Sequence, residues 1–180
     1  MLNSKPNNSK YNQGNFIPEN KDKVLKLNTE RGVYYRSGYE KVLMRYFDLN
    51  EDIIKWGGEI IQIPYELTHF ENGMTKIKNH VYHTDFYYEI KSGDSVKKVV
   101  VEVKPQKEYN MVIALNEKKI KVPEKGSGKR LKNFEYDMKM AYRNKAKWEA
   151  AIKWCAKKGY EFIIVTEQHL SKFNVRKPKK

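Results

Sequence analysis

Hydrophobic and polar positions alternate along this chain with two different periods. Over 35–49, "YRSGYEKVLMRYFDL", apolar Leu43, Met44 and Phe47 recur at helical spacing, which predicts a helix from about Ser37. A glycine turn then leads into "GGEIIQIPYEL", predicted as a strand over 57–67. "TKIKNHVYHTDFYYEI", 75–90, is rich in β-branched and aromatic residues and predicts a second strand. "KSGDS" reads as a hairpin turn into a third strand, "VKKVVVEVKP", 96–105. A long helix follows over 133–159, closed by Gly159, with Ala141, Trp148, Ile152 and Cys155 as its inward stripe. "YEFIIVTE", 160–167, reads as a last short strand. The order is helix, three strands, helix, strand. That is an α/β domain, a mixed sheet of about four core strands flanked by helices.

Three stretches fall outside this pattern. Residues 1–28 are polar and Asn-rich and read as an N-terminal arm. Residues 106–132 change character, contain the basic "EKGSGKR", and read as an insertion within a domain spanning 29–170. Residues 171–180 read as a basic C-terminal tail.

Charge sharpens the picture. The 180 residues carry 36 Lys and Arg against 22 Asp and Glu, a formal net charge of +14. From residue 107 onward there are 20 cationic and 8 anionic side chains, so the excess lies in the second half. Such asymmetry points to a polyanionic partner, with DNA or RNA the natural candidate and a lipid surface or a merely solvated face the alternatives. A single cysteine, Cys155, excludes an internal disulfide and any multi-cysteine zinc site. The four histidines match no zinc-binding spacing. No apolar run is long enough to span a membrane, and the N-terminus does not read as a signal peptide; a reducing compartment is expected.

Candidate chemistry begins with "VVVEVKP", 99–105. The run is too apolar for an exposed edge strand, yet it carries Glu102 and Lys104 on one face. On the preceding strand Asp85 shares a face with His83 and Tyr87, while Tyr82, Phe86 and Tyr88 occupy the other. The hairpin makes the two strands neighbours, so Asp85 and Glu102 meet across the ladder. Paired carboxylates need a cation, a shared proton or water, and hard oxygen ligands suit Mg²⁺ or Mn²⁺. The bland alternative is a surface pair bridged by Lys104. Glu40 falls on the apolar stripe of the first helix, although Ser37-x-x-Glu40 also reads as a capping box. Lys145 lies between Ala141 and Trp148, placed either to reach solvent or to face the acids and bind a phosphate.

An acid on the first helix, an Asp on one strand and Glu-x-Lys on the next resemble the PD-(D/E)XK nucleases. The pattern here is Glu40, Asp85 and Glu102-Val103-Lys104, with Thr84 where the family has Pro. The surrounding "YRSGYE", "YHTDFYYE", "VVVEVKP" and "NKAKWEAAIKWCAKKGYEFIIVTEQHL" resemble the head completion nuclease of tailed phages. They are also similar to the N-terminal domain of the DNA-cleaving subunit of heteromeric transposases. The phage likeness is the better match because little chain follows the last strand.

The resemblance implies a restriction-endonuclease-like fold and metal-dependent hydrolysis of DNA phosphodiesters. Asp85, Glu102 and the Val103 carbonyl would hold the metal, with Glu40 at a second ion or its water. Lys104 would orient the attacking water or offset transition-state charge. Lys145 would contact a phosphate, Lys129, Arg130 and Lys132 would grip DNA backbone, and His83 would support Asp85 from behind. Phage head and portal proteins are implied partners, and the host cytoplasm during assembly, with association to the virion, is the implied location. The competing readings are a virion structural protein that needs no cleavage and a nuclease subunit of a transposase-like complex. The latter would need a partner ATPase, since the chain has no GxxxxGK[ST] loop.

Overall fold

The computed structural model describes residues 13–71, 74–122 and 128–173. Strands β1 (Gly14–Phe16) and β2 (Val33–Tyr35) pair antiparallel and lead into helix α1 (Gly38–Leu49). Ser37 caps α1, its Oγ accepting from the Glu40 amide at 3.2 Å. Leu43, Met44 and Phe47 are fully buried, as their spacing predicts.

Strand β3 (Ile53–Gly58) enters the main sheet, and β4 (Gln62–Glu71) and β5 (Met74–His83) form a separate hairpin. The chain returns through β6 (Phe86–Ser92) and β7 (Ser95–Val103), and helices α2 (Gln106–Asn116) and α3 (Gly128–Lys158) precede β8 (Glu161–Val165). The four-stranded sheet runs β3-β6-β7-β8, antiparallel except for the parallel β7–β8 pair. A parallel neighbour requires a crossover, which α2 and α3 supply. The mixed sheet flanked by helices is restriction-endonuclease-like.

The two faces of the sheet are read from alternate residues. Val99, Val101, Val103, Phe86 and Tyr88 pack with α1 residues in one core. Tyr87, Val100 and Phe162 pack on the other face, near Trp154 and Cys155 of α3. Glu102, two residues from Val100, therefore points to the α3 face and is 1% exposed. α3 ends as its glycine predicts: Gly159 has φ +68°, and the Tyr160 amide reaches back to the Cys155 carbonyl at 2.9 Å.

Several expectations are corrected. The expected strands at 57–67 and 75–90 are each two strands. Gly58 pairs with Phe86 and Gln62 with His83, so residues 59–61 on one chain face only Thr84 and Asp85 on the other. This unequal count is a bulge, and it turns the ribbon out of the main sheet. Glu59 takes φ +52° there, and the Thr84 amide donates to the Ile61 carbonyl at 3.2 Å. The corner depends on an unequal residue count between the paired strands, so periodicity alone misses it.

The region 106–132, expected to be an insertion, contains α2, which starts directly after Pro105, and the first turns of α3. Of the expected arm, residues 13–28 pack on the fold. The Glu19 and Asn20 amides donate to the buried Asp48 carboxylate at 2.7 and 3.0 Å. Residues 1–12 lie outside the described residues. Of the expected tail, Phe173 packs edge-on to Tyr46 at 5.0 Å, and 174–180 lie outside the described residues. Ile152 is 56% exposed rather than inward, while Ala151 and Asn144 are buried on α3. The stripe turns along a straight 3.6-residue helix, which moves Ile152 off the face that Trp148 and Cys155 share.

Candidate active site

The candidate site lies where β7 leaves the main sheet. The register Phe86 to Val101, continued by one residue, sets Asp85 opposite Glu102. Asp85 Oδ2 accepts from the Val103 amide at 2.7 Å, so it ends the ladder with a side chain instead of a backbone carbonyl. Burial pushes the Asp85 carboxyl well above its ordinary value, and Glu102 adds to the rise; Lys104 and the Val103 amide oppose it.

Glu102 is held at both oxygens. Its Oε1 lies 2.7 Å from Lys104 Nζ, and its Oε2 accepts from the Tyr82 hydroxyl. Lys104 Nζ also lies 3.4 Å from the Val103 carbonyl oxygen. Burial alone would lower the Lys104 pKa, but Glu102 and Asp85 outweigh it and hold the ammonium above its usual range. Lys104 reaches the carboxylates by folding back, because the strand ends at Val103 and its own amide donates to Val165 at 3.0 Å.

Glu40 comes from the first turn of α1. Its Oε2 accepts from the Arg36 amide at 2.9 Å and its Oε1 from Ser37 Oγ at 3.0 Å. The capping interaction is real, but it reaches one residue further back than the Ser37 amide. Glu40 and Asp85 together line a cleft of about 110 Å³, with Arg36 and Glu59 paired at its mouth. Among the described residues no three His, Cys, Asp or Glu side chains stand close enough to form a ready-made metal cage.

The donor set can nonetheless be tested against a hard cation. Asp85, Glu102 and the Val103 carbonyl present only oxygen, and the carboxylates repel without a positive partner. The ammonium of Lys104 already lies beside two of these three groups. A divalent ion that keeps several waters fits such a set.

Matching residues 50–167, the chain carries the domain described as TnsA-like endonuclease N terminal. It is 31% identical over 157 residues to the head completion nuclease of Enterobacteria phage T4, covering 87% of this chain and 92% of that protein. The chain belongs to the TnsA-like endonuclease family. It is thereby a PD-(D/E)XK-like nuclease, with its Asp and Glu-x-Lys both inside the matched region.

Within this endonuclease domain, several expected residues stand apart from the carboxylates. His83 is exposed on β5 and alternates with the inward Tyr82, because the corner at 84–85 separates it from Asp85. The Lys145 ammonium is engaged by Glu149, one turn along α3. Lys129, Arg130 and Lys132 are exposed on the first turns of α3.

Two residues that sequence reasoning passed over are at the site. Tyr82, expected on the face of Phe86 and Tyr88, instead donates to Glu102 from the separate hairpin. Burial and then Glu102 hold its hydroxyl in the protonated form. Lys147 lies with its Nζ 5.1 Å from the centroid of the Tyr82 ring. Burial lowers its pKa, while Glu102 and Asp85 pull it up and Lys104 and Arg143 push it down. The available signal was helical: Lys147 is four and seven residues before Ala151 and Trp154, which pack against the sheet and the hairpin.

Proposed function

We propose that this endonuclease is a divalent-metal-dependent deoxyribonuclease that hydrolyses DNA phosphodiesters during phage head completion, after packaging. One observation carries the chemical part: Asp85 and Glu102 meet at the end of β7, with Lys104 folded onto Glu102 and the Val103 carbonyl. The biological part follows the relative from phage T4, whose name describes head completion and whose length the chain nearly covers. Phage head or portal proteins are the proposed assembly partners, in the host cytoplasm and on the virion. Among the described residues no helix is long and apolar enough to cross a membrane.

Asp85, Glu102 and the Val103 carbonyl would hold Mg²⁺ or Mn²⁺, and Glu40 faces the same cleft from α1. Such an ion, when bound, supplies Lewis-acid polarisation of the phosphate and a more acidic water. Lys104 sets its ammonium beside the reacting phosphate, where it offsets developing negative charge and orients the attacking water. The Tyr82 hydroxyl fixes Glu102 Oε2, so that Oε1 is left to Lys104 and the ion. Glu40, anchored by the Arg36 amide and Ser37, supplies a fixed acceptor for water across the cleft. Lys147 approaches the carboxylates from α3 and would bind a phosphate oxygen.

The decisive experiment incubates wild type and Asp85→Asn with linear, nicked and branched DNA in Mg²⁺ or Mn²⁺. Metal-dependent cutting that is lost in the variant supports the proposal and ranks the substrates. Binding without cutting in either metal, on every DNA form, overturns it in favour of a structural role in the particle.

A further inference from the structure

A row of cations leads along α3 from its sheet-facing side toward its N-terminus. At its C-terminal half this side carries Ala151, Trp154 and Cys155, packed on the sheet and on the β4–β5 hairpin. One turn before Ala151, the same side carries Lys147, whose Nζ lies 5.1 Å from the ring centroid of Tyr82, the residue that donates to Glu102. Continuing toward the N-terminus in steps of three and four residues, a row of Arg143, Lys139, Tyr136 and Lys132 winds away from that side. Along this row Lys132, Tyr136 and Lys139 are exposed. The apolar side of this stretch packs on α2 instead, where Ala141 and Trp148 meet Val112.

Among the described residues no acid forms an ion pair with Lys132, Lys139, Arg143 or Lys147. The nearby Asp137 is taken by Lys107, and Lys145, on the opposite side of the helix, is taken by Glu149. Unneutralised cations in a row, beginning at the candidate catalytic carboxylates, complement a phosphate backbone rather than a protein core. The stripe from Lys132 to Lys147 runs about 22 Å at 1.5 Å per residue. That length accompanies about six base-pair steps at 3.4 Å each.

We infer that this cationic row on α3 is the track for the DNA strand that enters the site, with Lys147 gripping the phosphate next to the one cut. The inference rests on the nuclease reading and adds which surface carries the substrate. The track reads backbone, so it confers grip and direction without sequence preference.

The test uses the full chain with Asp85→Asn to prevent cutting, and a fluorescent 30-base-pair duplex as probe. Binding is followed by anisotropy over a series of salt concentrations. Lys132→Ala, Lys139→Ala and Arg143→Ala should each reduce the slope of log affinity against log salt by about 0.9, one phosphate contact apiece. Lys145→Ala, on the opposite side of the same helix, should leave the slope unchanged. Lys147→Ala in the otherwise wild-type chain should slow cutting, with partial recovery in Lys147→Arg.

Unchanged slopes in the stripe variants overturn the track. So does an equal drop in Lys145→Ala, which would mean a diffuse basic surface. Either result can occur with wild-type cutting intact, which leaves the nuclease reading standing. Failure of wild type to cut any DNA form overturns that reading separately.

Discussion

Tyr82 and Asp85, three residues apart in sequence, both reach the Glu102–Val103 step. Tyr82 donates its hydroxyl to Glu102 Oε2, and Asp85 accepts the Val103 amide. In a regular strand an even and an odd position point to opposite faces. The corner at Thr84–Asp85 ends that alternation: it assigns Tyr82 to the hairpin and Asp85 to the edge of the main sheet. The bulge thus brings two side chains to one step of β7, Tyr82 to the Glu102 carboxylate and Asp85 to the Val103 amide.

The Tyr82 hydroxyl holds a proposed metal ligand, so its loss should act on metal binding before anything else. Tyr82→Phe is expected to raise the Mg²⁺ concentration for half-maximal cutting by about 10- to 100-fold. It should also cost about 1.5–3 kcal/mol of stability, as expected for a buried hydrogen bond to a charged group. Cleavage measured over a Mg²⁺ series, beside a denaturant melt, checks both.

Asp85 is costly to the metal-free fold. Its folded pKa lies above the ordinary 3.8, so the folded state holds the proton more tightly than the unfolded chain. Metal-free stability should therefore fall as pH rises from about 3.8 through the raised folded value. Asp85→Asn removes that slope and should raise the metal-free melting temperature near neutral pH while abolishing cutting. Thermal melts in chelator at several pH values test the sign.

Lys104 is the cation that pairs with Glu102 in the metal-free protein. Lys104→Met should destabilise the metal-free protein by about 3 kcal/mol, because Glu102 is then buried without a charge partner. Added Mg²⁺ should stabilise this variant more than it stabilises wild type, since the ion no longer competes with the ammonium. Cutting should be lost in both conditions. Melts with and without Mg²⁺ give the comparison.

Glu40 anchors the start of α1, and substitution can separate that from its proposed part in cutting. Glu40→Gln keeps an oxygen acceptor for the Arg36 amide and turns an NH2 donor toward Ser37 Oγ, so stability should change by less than about 0.5 kcal/mol while cutting falls sharply. Ser37→Ala should do the reverse, costing about 1 kcal/mol through the lost cap with cutting largely retained. Single-turnover rates paired with denaturant melts distinguish the two.

What could be read from the chain alone was local or periodic. Leu43, Met44 and Phe47 mark α1 by spacing, Ser37 marks its start, and Gly159 marks the end of α3, because these signals depend on a few neighbouring residues. Glu102 and Lys104 stood out because charge interrupted an apolar strand, and Asp85 because a neighbouring strand placed it within reach. The corner at 59–61 and 84–85 was hidden: a bulge needs an unequal count on two strands, and that count exists only after they pair. The same holds for α3. Lys145 and Lys147 are equally cationic in sequence, and only packing the helix on the sheet turns Lys147 toward Glu102 and leaves Lys145 to Glu149. Residue chemistry and period settled which groups this protein has to work with. Strand pairing and helix rotation, which join residues far apart in sequence, decided which of them meet.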